Sequence, residues 1–295
     1  MINTLSSIKD LRPQFNDVFN YLDVSETTKN DYKARIPLFI DHISKEGFTR
    51  NSFLVYKQYL RGRNDFTVST KNKYLATAKV FLKELNRLGT IPVDLTQNIK
   101  SFPQIKKHKK QGLSEDEVKK IWITASNLPS TSKNDRLVAT LALLIFQGLR
   151  QIEIIRLDTE DLNLNNGTAF VQSKGAIDKE LIHLHPETIK ALKCHIKSNK
   201  VGSGSLFRAL GNRKSERITT MTIKRMVKEL FEILGIDNSA HGFRHYYVTT
   251  LLKHMEVRDV RKFSRHRSLE MLIVYDDEID IASKSKEVFN CFNFS

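Results

Sequence analysis

Five separated stretches of this 295-residue chain hold residue types that could act on a phosphate. Gly148-Leu-Arg150-Gln-Ile-Glu153 sets an arginine at the start of a helix just after a glycine turn, with a carboxylate one turn on. Lys174 stands in the turn Lys174-Gly-Ala-Ile-Asp178. His241-Gly-Phe-Arg244-His245 places a histidine and an arginine one helical turn apart, so both can face one site. Arg265-His266 follows, and Tyr275 comes nine residues after His266. Guanidinium forks grip phosphate oxygens in pairs, and imidazoles hold or pass protons. Singly, each has a plainer explanation. Arg150 suits a surface, His241 and Arg244 a cap and an ion pair, Lys174 a solvated turn, and Tyr275, one of eight tyrosines, a core.

The charge balance supports an anionic partner. The formal net charge is +15, and residues 1–110 hold 20 Lys/Arg against 10 Asp/Glu, two-thirds of the excess. Within 47–87, Arg50, Lys57, Arg61, Arg63, Lys71, Lys73, Lys79, Lys83 and Arg87 face only Asp65 and Glu84. A solvated helical surface would look similar, but a bias this one-sided fits a face that neutralises phosphates. With 40% hydrophobic residues the chain can bury ordinary cores. No apolar run approaches the roughly 20 residues of a membrane helix, and the N-terminus lacks a secretion pattern. Two cysteines, Cys194 and Cys291, make no disulfide framework and fit a reducing cytoplasm or nucleoid. Phosphate-binding and dinucleotide loops are absent, so neither nucleotide cofactor nor metal is expected. His183 and His185 on one strand face, with Cys194 and His195 beyond, form a weaker rival zinc site, and Cys194 has no base to serve it as a nucleophile.

The positioning elements are mostly helices. Ser25-Glu-Thr-Thr opens one, with Tyr32, Ile36, Phe39, Ile40 and Ile43 at three- and four-residue spacing. Asn51–Arg63 and Ser69–Leu88 are predicted as two more, with a further one near Ile8–Leu22. This makes 1–99 a small basic helical domain. The stretch 100–112, with Lys106, Lys107, Lys109 and Lys110, reads as an exposed linker that can lie along a DNA backbone. The second domain, 113–295, opens with capping-box spacing at Ser114 and Glu117. Helices are predicted at Leu137–Phe146, from Arg150, and at Pro186–Lys197, Thr219–Leu234 and Phe243–His254. Thr168–Gln172 and Glu180–Leu184 read as paired strands. The fold class is therefore mainly α with a small antiparallel β-sheet.

Together, the boxes resemble the tyrosine recombinase, or phage integrase, family, which includes the Xer and Cre recombinases. Gly148–Glu153 matches its G-L-R-x-x-E box, Lys174 its hairpin lysine, His241–His245 its H-x-L-R-H box with Phe for Leu, His266 its later histidine and Tyr275 its nucleophile. Phe263-Ser264-Arg265 departs from the usual apolar residue and glycine before that histidine. Asp276-Asp277 departs from the small or histidine residue after the tyrosine. The resemblance is strong over about 180 residues and extends loosely to the basic helical part, which looks like the family's core-binding domain.

The resemblance implies a site-specific recombinase that cuts and rejoins DNA through a 3′-phosphotyrosyl intermediate. In that chemistry Arg150 and Arg244 grip the charged phosphate oxygens, and Tyr275 must lose a proton held near pKa ~10. His241 and His266 assist as base and hydrogen-bond donor, in either order. Lys174 protonates the leaving oxygen, and Glu153 orients the site. The implied partners are duplex recombination sites and a homotetramer; the apolar C-terminal segment either folds back on its own core or, as the resemblance favours, is exchanged between protomers. Arg61, Arg63, Lys71, Lys73, Lys79 and the linker lysines are the candidate phosphate contacts. A DNA-binding protein of this fold without catalysis, and a type IB topoisomerase, are the rival readings. The target sequence, and the choice among integration, excision and resolution, are not legible.

Overall fold

In the computed structural model, residues 18–104, 112–173, 175–210 and 217–272 are described. The chain divides into two compact units, Met1–Ile105 and Lys106–Ser295.

In the first unit, α1 (Glu26–Glu46) starts where Ser25 turns to extended backbone and accepts a hydrogen bond from the Thr28 amide, satisfying one of the four orphan donors of a helix start. α2 (Ser52–Gly62) and α3 (Val68–Arg87) follow, α3 capped in the same way by Thr67. Their apolar faces meet in one core that holds Ile36, Phe39, Phe53, Leu60, Phe81 and Leu82, with Phe39 edge-on to Tyr56 at 4.8 Å. The helix predicted over Ile8–Leu22 falls largely outside the described residues, and its described end is a 3-10 turn, Phe19–Tyr21.

The second unit begins at α4 (Glu115–Ser126), where both halves of the Ser114–Glu117 capping box form. α5 (Ser132–Phe146) starts earlier than its apolar run predicts. Its first turns are polar yet partnered: Ser130 Oγ donates to Asp135 at 2.8 Å, and Arg136 donates to the Arg208 carbonyl at 3.1 Å. After the short α6 (Gln151–Arg156) comes an antiparallel sheet in the order β1 (Leu162–Asn163), β2 (Thr168–Gln172), β3 (Lys179–His183). Ala169 pairs with Ile182 and Val171 with Glu180. Ala169 and Val171 point into the core, while Phe170 and Leu181 point out. α7 (Pro186–Ser198), α8 (Thr220–Leu234), α9 (His241–Leu252) and α10 (Val257–Ser264) complete the described part.

Buried α5 is the centre of this unit and packs against α4, α6, α7 and α9. It ends at the glycine turn that leads to Arg150, so the unit's most buried helix anchors that residue. β1 and α10 were not predicted. No helix among the described residues is long and apolar enough to cross a membrane.

Candidate active site

Arg150 is the N-cap of α6. Its amide donates to Glu153 Oε2 and its guanidinium to Glu153 Oε1, both at 2.8 Å. Glu153 has no exposed surface, and it faces a second cation, Arg265, at 3.4 Å. Burial alone would raise the Glu153 pKa. Arg265, then the Arg150 amide and guanidinium, more than offset this and hold the carboxyl below the usual carboxylate range.

The turn before Arg150 requires glycine. Gly148 sits at φ +55°, and a Cβ there would come within 2.3 Å of the Tyr247 ring. Gly148→Ala is expected to lower stability by about 1–3 kcal/mol through strain and overpacking. The urea midpoint measures this, and an unchanged midpoint would show that the turn adapts.

Arg244 lies in the first turn of α9, only 2% exposed. One arm donates to the Gly148 carbonyl at 2.6 Å; the other donates to the Ser264 carbonyl and approaches His266 Nε2 at 3.4 Å. Since a guanidinium only donates, Nε2 carries a lone pair, and Nδ1–H donates to Ser264 Oγ at 2.7 Å. His266 is thus neutral. Burial, and then Arg244, Arg150, Arg265 and His241, push its pKa down to about 3.

Below the ordinary imidazole value the unfolded chain takes up a proton that folded His266 refuses, so this group's contribution is complete above pH ~6.5 and lost as pH falls towards ~3. The slope is at most about 1.4 kcal/mol per pH unit for this one group. His266→Gln should flatten the fall in urea midpoint between about pH 7 and about pH 5; an identical fall in both proteins would refute this.

His241, the first residue of α9, is exposed and close enough to bear on His266's titration. Arg150 and His266 line one cleft of about 680 Å³ with Ser173 and Gly175, the residues on either side of Lys174, and with Arg261, Arg265 and Arg267. Glu180 is the carboxylate among these basic walls. Lys174 and Tyr275 themselves lie outside the described residues. Leu272, the last described residue, is buried against Val248 and Val260 of α9 and α10. A roomier cleft of about 790 Å³, lined by Ser114, Glu117, Asp237 and His245, holds none of the candidate residues.

Half-buried Arg150, His266 and three further arginines thus border one basic cleft, with Arg244 buried behind them. The phage integrase family model matches residues 111–280, more than half of the chain. The chain belongs to the phage integrase family. It is a tyrosine recombinase, an enzyme of site-specific DNA cleavage and rejoining. Tyrosine recombinase XerA of Pyrococcus horikoshii is 26% identical over 257 residues, covering 80% of this chain and 86% of XerA. Tyrosine recombinase XerD of Pseudomonas putida is 26% identical over 268 residues, covering 85% and 87%. Among solved structures, XerH bound to palindromic difH superposes with a TM-score of 0.73 at 18% identity, covering 93% of this chain and 83% of that one. A lambda integrase dimer bound to a core site gives 0.68 at 17%, covering 94% and 96%. Both share the recombinase's fold.

The rival histidines of the recombinase have structural work. His185 caps α7 and stacks on Phe146, while buried His195 bonds the Leu206 carbonyl at 3.0 Å and stacks on Phe207. Among the candidate phosphate contacts, Arg61 and Lys73 are exposed and Lys79 half-buried. Lys71 donates to the Arg61 carbonyl at 2.8 Å. The fork of Arg63 is occupied by Asp65, at 2.7 and 2.6 Å, and its guanidinium lies 4.2 Å above the Phe66 ring. Lys106, Lys107, Lys109 and Lys110 lie outside the described residues. Sequence reasoning missed Ser264, which orients His266, and gave Arg265 no task. The signal for the second was present in the Ser264-Arg265 departure.

Proposed function

We propose that this recombinase cuts one strand at a time by attack of Tyr275 on the scissile phosphate, forming a 3′-phosphotyrosyl bond that a 5′ hydroxyl later reverses. The observation that carries this reading is the convergence of Arg150 and His266 on the cleft bordered by Ser173 and Gly175, with Arg244 bonded behind them to Gly148 and Ser264. Arg150 and Arg244 hold the non-bridging oxygens as charge develops. His241 and His266 divide the roles of proton acceptor and hydrogen-bond donor, and Lys174 protonates the leaving 5′ oxygen. The covalent bond conserves the phosphodiester's energy, so rejoining draws on no ATP. The two arginines supply the charge that a metal supplies in other phosphoryl-transfer sites.

The basic helical unit and the 100–112 stretch add phosphate contacts that position the duplex. A lambda integrase of the same fold has been solved as a tetramer on a Holliday junction, and this supports a tetramer on paired sites here, its C-terminal segments exchanged between protomers. The cytoplasm, on the nucleoid, is the compartment that suits such a substrate.

The test uses a nicked duplex carrying the site that the protein selects from a random-sequence library. Incubation should give an adduct that survives denaturant, and digestion should place the nucleotide on the peptide containing Tyr275. Failure to form an adduct, or an adduct on another residue, would sink the reading.

A further inference from the structure

Arg265 stands at the C-cap of α10 in the left-handed region, φ 54° and ψ 44°, a conformation that a residue with a Cβ adopts at a cost. The side chain does not reach outward like most surface arginines. It is turned inward, with 4% of its surface exposed. One arm donates to the Phe263 carbonyl at 2.9 Å. The other lies 3.3 Å from the Gln147 carbonyl and 3.4 Å from Glu153 Oε2. Gln147 and Glu153 bracket Arg150: the first ends the approach from α5, and the second holds both the amide and the guanidinium of Arg150. Glu153 is therefore a bridge between two cations. Nε of Arg265 is buried with no hydrogen-bond partner among the described residues, which is a further cost of the inward posture. A glycine would satisfy this backbone with neither penalty, so the side chain must return something.

We propose that Arg265 is a positioning residue for strand cleavage, holding Arg150 in register with the phosphate by clasping Gln147 and Glu153 on either side of it. The inference rests on the cleavage reading above and deepens it. Although Arg265 borders the cleft, its side chain is 4% exposed and its terminal nitrogens are taken up by two carbonyls and Glu153, so it acts through Glu153. With Arg265 gone, Glu153 keeps one cation instead of two, and the turn carrying Arg150 loses its tie to α10. A displaced guanidinium still attracts DNA but no longer meets the transition state in the right geometry.

Arg265→Gly suits the backbone and removes only the side chain, so a purely structural role predicts little change in rate. On the nicked duplex, single-turnover adduct formation should instead slow by about ten-fold or more, while affinity for the uncleaved duplex stays within about two-fold. Arg265→Lys, which restores the positive charge but not the fork that spans Phe263, Gln147 and Glu153, should recover only part of the lost rate. In a Glu153→Gln background the glycine change should add less than about two-fold, since the partner it acts through is already altered. Wild-type cleavage by Arg265→Gly, a full effect persisting beside Glu153→Gln, or a large loss of duplex affinity that marks a direct phosphate ligand would each overturn the proposal. If the glycine variant does not fold, Arg265→Gln carries the same comparison. Arg150→Ala runs alongside: wild-type cleavage by that variant sinks the site reading itself, whereas its collapse with an unaffected Arg265→Gly sinks only this inference.

Discussion

Arg244→Ala should slow covalent adduct formation by about a thousand-fold, the upper end of what one preorganised donor contributes to a charged transition state. The residue is among the largest fully buried side chains of the protein. Its donors tie the Gly148 carbonyl, the Ser264 carbonyl and the edge of His266 into one unit. Truncation therefore acts twice. It removes positive charge where the phosphate gathers negative charge, and it leaves two carbonyls buried without donors, each costing about 1–3 kcal/mol. Both effects are measurable, by single-turnover cleavage and by the urea midpoint. Arg244→Lys separates them: a single ammonium keeps the charge but cannot span both carbonyls, so stability should recover more than rate. Cleavage by Arg244→Ala within about ten-fold of wild type would remove this arginine from the chemistry.

Glu153→Ala should destabilise the protein by about 3–5 kcal/mol. The carboxylate is fully buried and bonded to Arg150 twice, with Arg265 on its other side. Removing it strands buried Arg265 and half-buried Arg150 without their carboxylate, and an unpaired buried charge is far costlier than a broken pair at the surface. Glu153→Gln keeps the shape and one acceptor, so it should fold better and still cleave slowly. The wild-type carboxyl is held below its ordinary pKa, so the stability it contributes is present above the unfolded carboxylate range and is lost as acid protonates it. Chemical denaturation of the three proteins decides the matter, and an alanine variant as stable as wild type would mean the two arginines find other partners.

Much of the scaffold could be read from local chemistry. Ser25, Ser114 and Thr219 announced helix starts because a side-chain oxygen must satisfy an orphan amide within three residues. The one-turn spacing of His241 and Arg244, and the Gly148 turn ahead of Arg150, were legible for the same reason: their geometry is set within a few residues. α10 was not. Eight residues long and half charged, with only Val260 and Ser264 buried, it repeats its apolar positions over barely two turns, too few to mark a helix, and owes its form to packing on α9. The early start of α5 was hidden because its polar first turns are buried by partners distant in sequence, such as Arg208.

By itself the sequence determined which groups are candidates to meet a phosphate, and that several of them ride on helices, since residue type and short-range spacing suffice for both. Only the tertiary structure decided how they serve. Arg244 reaches across 96 residues to the Gly148 carbonyl, and Arg265 across 112 to Glu153. The same packing buries His266 beside Arg244 and so depresses its affinity for a proton, while Arg265 helps keep Glu153 ionised. No local pattern encodes these contacts, because a buried charge is defined by what surrounds it, and what surrounds it here comes from three distant segments of the chain.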